Sequence, residues 1–242
     1  MKALNFNHQP VRSTLPAGAL RNSLTGLTVL AAGIAIMALP HKSSAQLDTQ
    51  LINQVKSGTL SVNAHYSMFV SNSILGPVTA DGITCLMMPA QKGHAETVKW
   101  LLEHGADPNA RNAYGVTAFR YSIPDGGAED NYVKIVKLFL EHGADANAKD
   151  NSGWTALLSA AFHGYTEITR LLLKYHADVN GADKYGRSPL MMAAGYGYTN
   201  EVKLLLDNGA DVDAKDQNGK TALGMVSDSS EIAMLMRAKK TK

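Results

Sequence analysis

The run Gly153-Trp154-Thr155-Ala156-Leu157-Leu158-Ser159-Ala160-Ala161 returns 33 residues later as Gly186-Arg187-Ser188-Pro189-Leu190-Met191-Met192-Ala193-Ala194. Its opening phrase, a glycine followed two residues on by Thr or Ser, begins at Gly82, Gly115, Gly153, Gly186 and Gly219, at intervals of 33, 38, 33 and 33 residues. A second phrase keeps the same beat as Gly105-Ala106-Asp107, Gly143-Ala144-Asp145, His176-Ala177-Asp178 and Gly209-Ala210-Asp211. A fixed period of this length builds a solenoid in which each unit contacts only its neighbours. Such an array presents an extended surface rather than one enclosed cavity, which points to recognition before chemistry.

Each phrase has a local physical reason. The glycine permits a tight turn with positive φ, which other residues resist. The Thr or Ser then accepts a hydrogen bond from a backbone N–H two or three residues on and so starts a helix. The helix is short and rich in small residues, and Pro189 falls at its first position, where the missing N–H costs nothing. A second glycine turn follows at Gly93, Gly164 and Gly197. A longer helix comes next, with an apolar stripe through Val98, Leu101 and Leu102, through Ile135, Val136 and Leu138, through Ile168, Leu171 and Leu172, and through Val202, Leu204 and Leu205. Gly105, Gly143 and Gly209 close that second helix.

The combination resembles ankyrin repeats. Asp-X-X-Gly-X-Thr-Ala-Leu stands at Asp150 to Leu157 and at Asp216 to Leu223, and Gly-Ala-Asp-Val-Asp-Ala at Gly209 to Ala214. The resemblance covers about 80–242 and implies an all-α, ankyrin-type α-solenoid of helix-turn-helix repeats with short β-hairpin loops, about five units including the caps. It implies units at 80–112, 113–150, 151–183 and 184–216, with a C-terminal cap at 217–242. It also implies that another protein is bound through the hairpin tips and the concave face of the first helices, without catalytic machinery.

Several positions depart from the family pattern. The usual histidine of Thr-Pro-Leu-His is replaced by Met87, Arg120, Leu158, Met191 and Gly224. The second unit carries five extra residues in the turn Pro124-Asp125-Gly126-Gly127-Ala128-Glu129-Asp130, read as a flexible, solvated loop. Pro89 falls inside the first helix of the first unit, where an interior proline costs ~3 kcal/mol unless the helix starts late or kinks. His176 stands where the other units place a glycine. Residues 46–79 read as an N-terminal cap and irregular segment, helical near 47–57 and without clear periodicity beyond.

The first 45 residues have the layout of an export signal: early cations Lys2, Arg12 and Arg21, an apolar run from Leu24 to Leu39, then Pro40 and Ser43-Ser44-Ala45. Cleavage is expected after Ala45, with no membrane insertion afterwards. An uncleaved leader would instead make an anchored scaffold, although the run is short for a hydrocarbon core that needs ~20 residues. Removing the leader takes four of the 23 basic residues and none of the 21 acidic ones, leaving 19 against 21, or −2. A near-neutral mature chain carries no electrostatic footprint for nucleic acid. The expected compartment is periplasmic or secreted, and the expected state a monomer. An effector acting on a host or neighbouring cell is the alternative.

Cys85 is the single cysteine and reads as a small, half-buried apolar residue. The histidines lack an i, i+4 pair and the acidic loop lacks EF-hand spacing, so neither metal nor cofactor is expected. No nucleophile elbow or phosphate-binding loop is present, which leaves no catalytic residue to name. The positions that face the groove in this architecture hold Tyr114, Trp154, Phe162, His163, Tyr185, Arg187 and Tyr196. Trp, Tyr and Arg are the residue types most enriched at binding hot spots, and these seven are the expected docking residues.

Overall fold

The computed structural model describes residues 83–123, 126 and 129–240, and before them 49, 52, 53, 56, 57, 65 and 66. The expected signal at 1–45 and most of the irregular segment at 61–79 lie outside the described residues. Within 47–57, residues 49, 52, 53 and 56 are helical and Ser57 N–H donates to the Asn53 carbonyl at 2.9 Å. Lys56 Nζ sits 5.6 Å from the centre of the Trp100 ring, which ties this segment to the first unit.

Two short strands, β1 His65–Tyr66 and β2 Ile83–Thr84, pair antiparallel, with His65 opposite Thr84. The helices alternate short and long. The first helices of the units are α1 Met87–Gln91, α3 Ala118–Tyr121, α5 Ala156–His163 and α7 Pro189–Gly195. The second helices are α2 Ala95–Glu103, α4 Asp130–Glu141, α6 Thr166–Lys174 and α8 Thr199–Asp207. The last unit has a 3-10 turn at Leu223–Met225 and closes with α9 Glu231–Lys240.

The expected caps form. Thr117, Thr155 and Ser188 accept the N–H of Arg120, Leu158 and Met191 at 3.2, 3.1 and 3.3 Å. Thr221 accepts that of Gly224 at 3.3 Å, although only a 3-10 turn follows. The first unit differs. Its helix starts late, at Met87, which puts Pro89 in the first turn, where its missing N–H costs no intrahelical bond. Thr84 is left out of the cap, and its backbone N–H meets Met87 Sδ at 3.4 Å.

First helices pack on first helices, α1 on α3 and α5 on α7, while α2, α4, α6, α8 and α9 form a second row. The core lies between the rows and is continuous from Cys85 to Met236. Phe119 and Phe139 meet within it at 5.8 Å. Cys85 is buried in this core rather than half-buried, and burial pushes its thiol up to about 12, which keeps it protonated. α3 is only four residues long; the hydroxyl of Ser122, just after it, donates to the Phe119 carbonyl at 2.6 Å, and Pro124 follows in sequence. A residue before proline is disfavoured in helix, so the chain leaves the helix there.

Two ladders bind the units edge to edge. Asn109 Nδ2 donates to the Gly143 carbonyl at 3.0 Å and its Oδ1 accepts from Asp145 N–H at 2.8 Å. Asn147 repeats this with His176 and Asp178, and Asn180 with Gly209 and Asp211. The hairpin tips form the other ladder: Asn151 N–H donates to the Tyr114 carbonyl, Lys184 N–H to Ser152 and Gln217 N–H to Tyr185, at 3.0, 3.0 and 2.9 Å. The tips come so close that a Cβ on Gly153 would stand 3.0 Å from Lys184 N. The hairpin arms are minimal, with Arg111 bridging Thr117.

Candidate functional site

Four hairpins are built alike from one acceptor side chain each. Asn112, Asp150, Asp183 and Asp216 each use Oδ1 to accept two backbone N–H groups of their own turn, two and four residues on. That fold-back closes the loop around each glycine, and the side chain just before the glycine stands on the outside of the turn. The outward residues include Tyr114, 56% exposed, and Tyr185, 48% exposed.

Asp183 does more than close its turn. Its Oδ2 accepts Arg187 Nε at 2.7 Å and pairs with Arg187 Nη2 at 2.6 Å, while its side chain is 1% exposed against 39% for the arginine. The buried carboxylate thus fixes a guanidinium that remains open to solvent. The guanidinium carbon lies 5.3 Å from the centre of the Trp154 ring and 5.1 Å from that of Tyr185. Both distances are within cation–π range. Trp154 is itself held, its Nε1 donating to Ser159 Oγ at 2.6 Å.

The ring system continues into the groove. Trp154 meets Phe162 edge-on at 6.0 Å, and Phe162 meets Tyr196 at 4.7 Å and His163 at 4.8 Å. Tyr196 stacks on Tyr198 at 6.1 Å, and His163 tilts against Tyr165 at 5.4 Å. Gly164 holds the turn between α5 and α6 at φ 71°, and any Cβ there would strike the Tyr198 ring at 2.8 Å.

The structure therefore brings six of the seven expected residues into one connected surface: Trp154, Phe162, His163, Tyr185, Arg187 and Tyr196. Tyr114 stands one hairpin away, joined to it through the Asn151 backbone bond. Trp154, Phe162 and His163 are half-buried and brace the surface from below; Tyr185 and Tyr196 are its most open members. Tyr165 and Tyr198 were not among the expected residues. Their signal was readable, since both follow a turn glycine at the same slot, 33 residues apart.

Two carboxylates have roles that the repeat pattern did not suggest. Glu129, in the insertion, accepts the Ile168 backbone N–H at 2.7 Å and lies near that of Glu167. Glu129 itself is thus bonded to the third unit rather than merely solvated. Glu201 is 0% exposed, in the slot that Ile168 fills one unit earlier, and accepts the Thr169 hydroxyl. Burial pushes its carboxyl up to about 7, with Thr169 and Thr166 hydroxyls opposing the shift. Its other oxygen is buried without a hydrogen-bond partner among the described residues. A carboxylate at an otherwise apolar or hydroxyl slot was a visible anomaly in the sequence.

Among the described residues no group of three or more His, Cys, Asp or Glu is placed to hold a metal ion, and no helix is long and apolar enough to cross a membrane. No curated protein matches the chain. A family model for ankyrin repeats (3 copies) matches it at residues 51–150, 127–216 and 177–236. These matches together cover most of the 242 residues, and the first begins inside the segment read as an N-terminal cap. Ankyrin repeats are in general protein-protein interaction modules without catalytic function of their own. With capped helix pairs, a laddered hairpin ridge and a family match across its repeats, the chain belongs to the ankyrin repeat family.

Proposed function

We propose that this protein is an exported, non-enzymatic binding module that docks one partner protein on the ridge and groove of its third and fourth units. The observation that carries the reading is the connected surface Tyr185–Arg187–Trp154–Phe162–Tyr196. It combines open aromatic rings with an arginine already fixed by a buried carboxylate, so little side-chain freedom remains to be lost on binding. Half-buried Trp154 acts as the support, and the open Tyr185 and Tyr196 as the contacts. Tyr114 extends the contact toward the second unit.

The export part of the proposal rests on the leader. Intact mass of the protein from fractionated cells tests it: a soluble species beginning at Gln46 is expected. A full-length species in the membrane pellet overturns cleavage and makes the protein an anchored scaffold, while recovery from the medium makes it a secreted effector. The docking part is tested with photo-crosslinking residues placed at 185 and 196, using positions 99 and 137 on the second-helix row as controls. One adduct common to 185 and 196 is expected, and Trp154→Ala is expected to weaken that complex by ~2 kcal/mol. Adducts only from the control positions overturn this face as the docking surface.

A further inference from the structure

Beside the aromatic surface, the hairpin ridge carries a run of cations, and the carboxylates that close its turns face inward. Arg111, Lys149, Lys184, Lys215 and Lys220 are exposed, and among the described residues none of the five forms an ion pair. The second-helix row and the C-terminal helix are mixed: Lys134, Lys174 and Lys203 are exposed and likewise form no ion pair among the described residues, but five other cations do. There Lys99, Lys137, Arg170, Arg237 and Lys239 each meet a carboxylate, at Glu103, Glu141, Glu167, Asp228 and Asp207. On the ridge, the carboxylates of Asp150, Asp183 and Asp216 are occupied by the backbone N–H groups of their own turns. Asp183 is further engaged by Arg187.

The ridge thus presents the basic and aromatic side chains of Arg111, Lys149, Lys184, Tyr185, Lys215 and Lys220 beside the exposed polar tips Asn151, Gln217 and Asn218 and the exposed Asp213. Arg111 and Lys149 spend one N–H each on the backbone of the next unit, donating to the carbonyls of Lys149 and Ala182 at 2.8 and 3.4 Å. Those bonds hold the cations along the ridge line. Lys184 lies 5.1 Å from the centre of the Tyr185 ring, which places a cation beside an open aromatic face.

We propose that the partner of this surface is an acidic protein segment in extended form, carrying spaced Asp or Glu residues with an aromatic or large aliphatic residue between them. The inference rests on the docking reading above and specifies its ligand. Spaced carboxylates answer Lys149, Lys184 and Lys220 one at a time, and the intervening apolar residue covers Tyr185 and Tyr196. A continuous polyphosphate fits less well, because exposed Asp145, Asp178 and Asp211 stand at the base of the same hairpins and repel a uniform line of negative charge. Charge complementarity of this kind sets partner choice and association rate and is screened by salt.

The test is selection from a displayed library of random dodecapeptides against the mature protein, with affinities of the enriched peptides measured afterwards. Enrichment of Asp and Glu around an aromatic or aliphatic residue is expected. Binding should weaken roughly tenfold in K149E/K184E/K220E and in Y185A/Y196A, and by a similar factor when NaCl is raised from about 50 to 500 mM. These lysines are exposed, and K149Q/K184Q/K220Q serves as the second variant if charge reversal shifts the melting curve. Neutral or basic peptides that are lost in Y185A/Y196A keep the docking face and overturn the acidic partner. Peptides indifferent to both variants, or no enrichment, overturn the docking face and this inference together. Tighter binding of a single-stranded oligonucleotide than of any enriched peptide overturns the acidic segment in favour of a phosphate backbone.

Discussion

Glu129 Oε1 accepts the backbone N–H of Ile168 at 2.7 Å, so a residue of the second unit's insertion caps the second helix of the third unit. That helix needs an outside acceptor. Its own N-cap residue is Tyr165, which makes no side-chain cap bond, and the free N–H groups of its first turn carry a partial positive charge. Partial burial raises the Glu129 carboxyl above its usual range, while the Ile168 and Glu167 N–H groups pull it back.

Glu129→Ala is accordingly expected to destabilise the protein by ~1–2 kcal/mol, the usual magnitude of a lost cap. The loss should be local, with hydrogen exchange at the Ile168 amide accelerating more than exchange in α8. Glu129→Gln keeps an acceptor and should recover part of the loss. An alanine variant with an unchanged denaturation midpoint and unchanged Ile168 exchange would mean that the insertion merely rests against its neighbour.

Glu201 sets a pH dependence. Its carboxyl is pushed up to about 7 from an ordinary value of 4.5 by burial, so the folded protein holds its proton more tightly than the unfolded chain does. The stabilisation is then fully present below about pH 4.5 and is lost as pH rises through about 7. The charged groups facing it are Glu129, which adds to the shift, and Arg170, which opposes it. The shift corresponds to a loss on the order of 3 kcal/mol. Glu201→Gln keeps an acceptor for Thr169 and carries no charge. Its stability curve should be flat across that window, and it should exceed the parent at pH 8. A parent curve that does not fall between pH 5 and 8, or a Gln variant that falls with it, removes Glu201 as the cause.

What the sequence revealed and what it hid follow from the range of the interactions. The caps of Thr117, Thr155 and Ser188 are decided within a few residues, so a reader of the chain reaches them directly. The sequence flags Pro89 and His176 as departures, without deciding between a late start and a kink or fixing the sign of φ. The groove positions also follow, because the 33-residue period carries Gly153-Trp154 onto Gly186-Arg187. Contacts between units are different in kind. Nothing near Glu129 says that it bonds a residue 39 positions away. The Asn109, Asn147 and Asn180 ladder showed as a recurring residue, but its cross-unit partners needed the stacked geometry. The hold of Asp183 on Arg187 likewise depends on how the turn closes.

His176 is the one non-glycine residue with positive φ among those described, at 62°, where its counterparts Gly143 and Gly209 sit at 80° and 87°. A side chain in this region costs ~1–2 kcal/mol, and glycine gives back part of that through the greater freedom of its unfolded chain. His176→Gly is expected to raise stability by ~0.5 kcal/mol. The carbonyl of residue 176 would still accept Asn147 Nδ2, now at 3.1 Å. A loss of stability in thermal or urea denaturation would show that the imidazole contributes more than the backbone strain takes away.

Asp183 joins fold to function most directly, because one buried carboxylate closes a turn and fixes a surface cation. Asp183→Ala removes the acceptor for Tyr185 N–H, Arg187 N–H and the guanidinium at once. Losing several bonds to a buried charged acceptor should cost ~2–4 kcal/mol. Asp183→Asn keeps the two turn bonds through its carbonyl oxygen but offers an NH2 where Arg187 needs an acceptor. It should cost less, and should chiefly release the guanidinium from its seat over Trp154. With Trp100 replaced by Phe, Trp154 emission reports that release directly: a shift in Asp183→Asn without a comparable fall in stability is expected. Equal destabilisation of the two variants with unchanged emission would instead make Asp183 a fold residue alone, with Arg187 held by the rings.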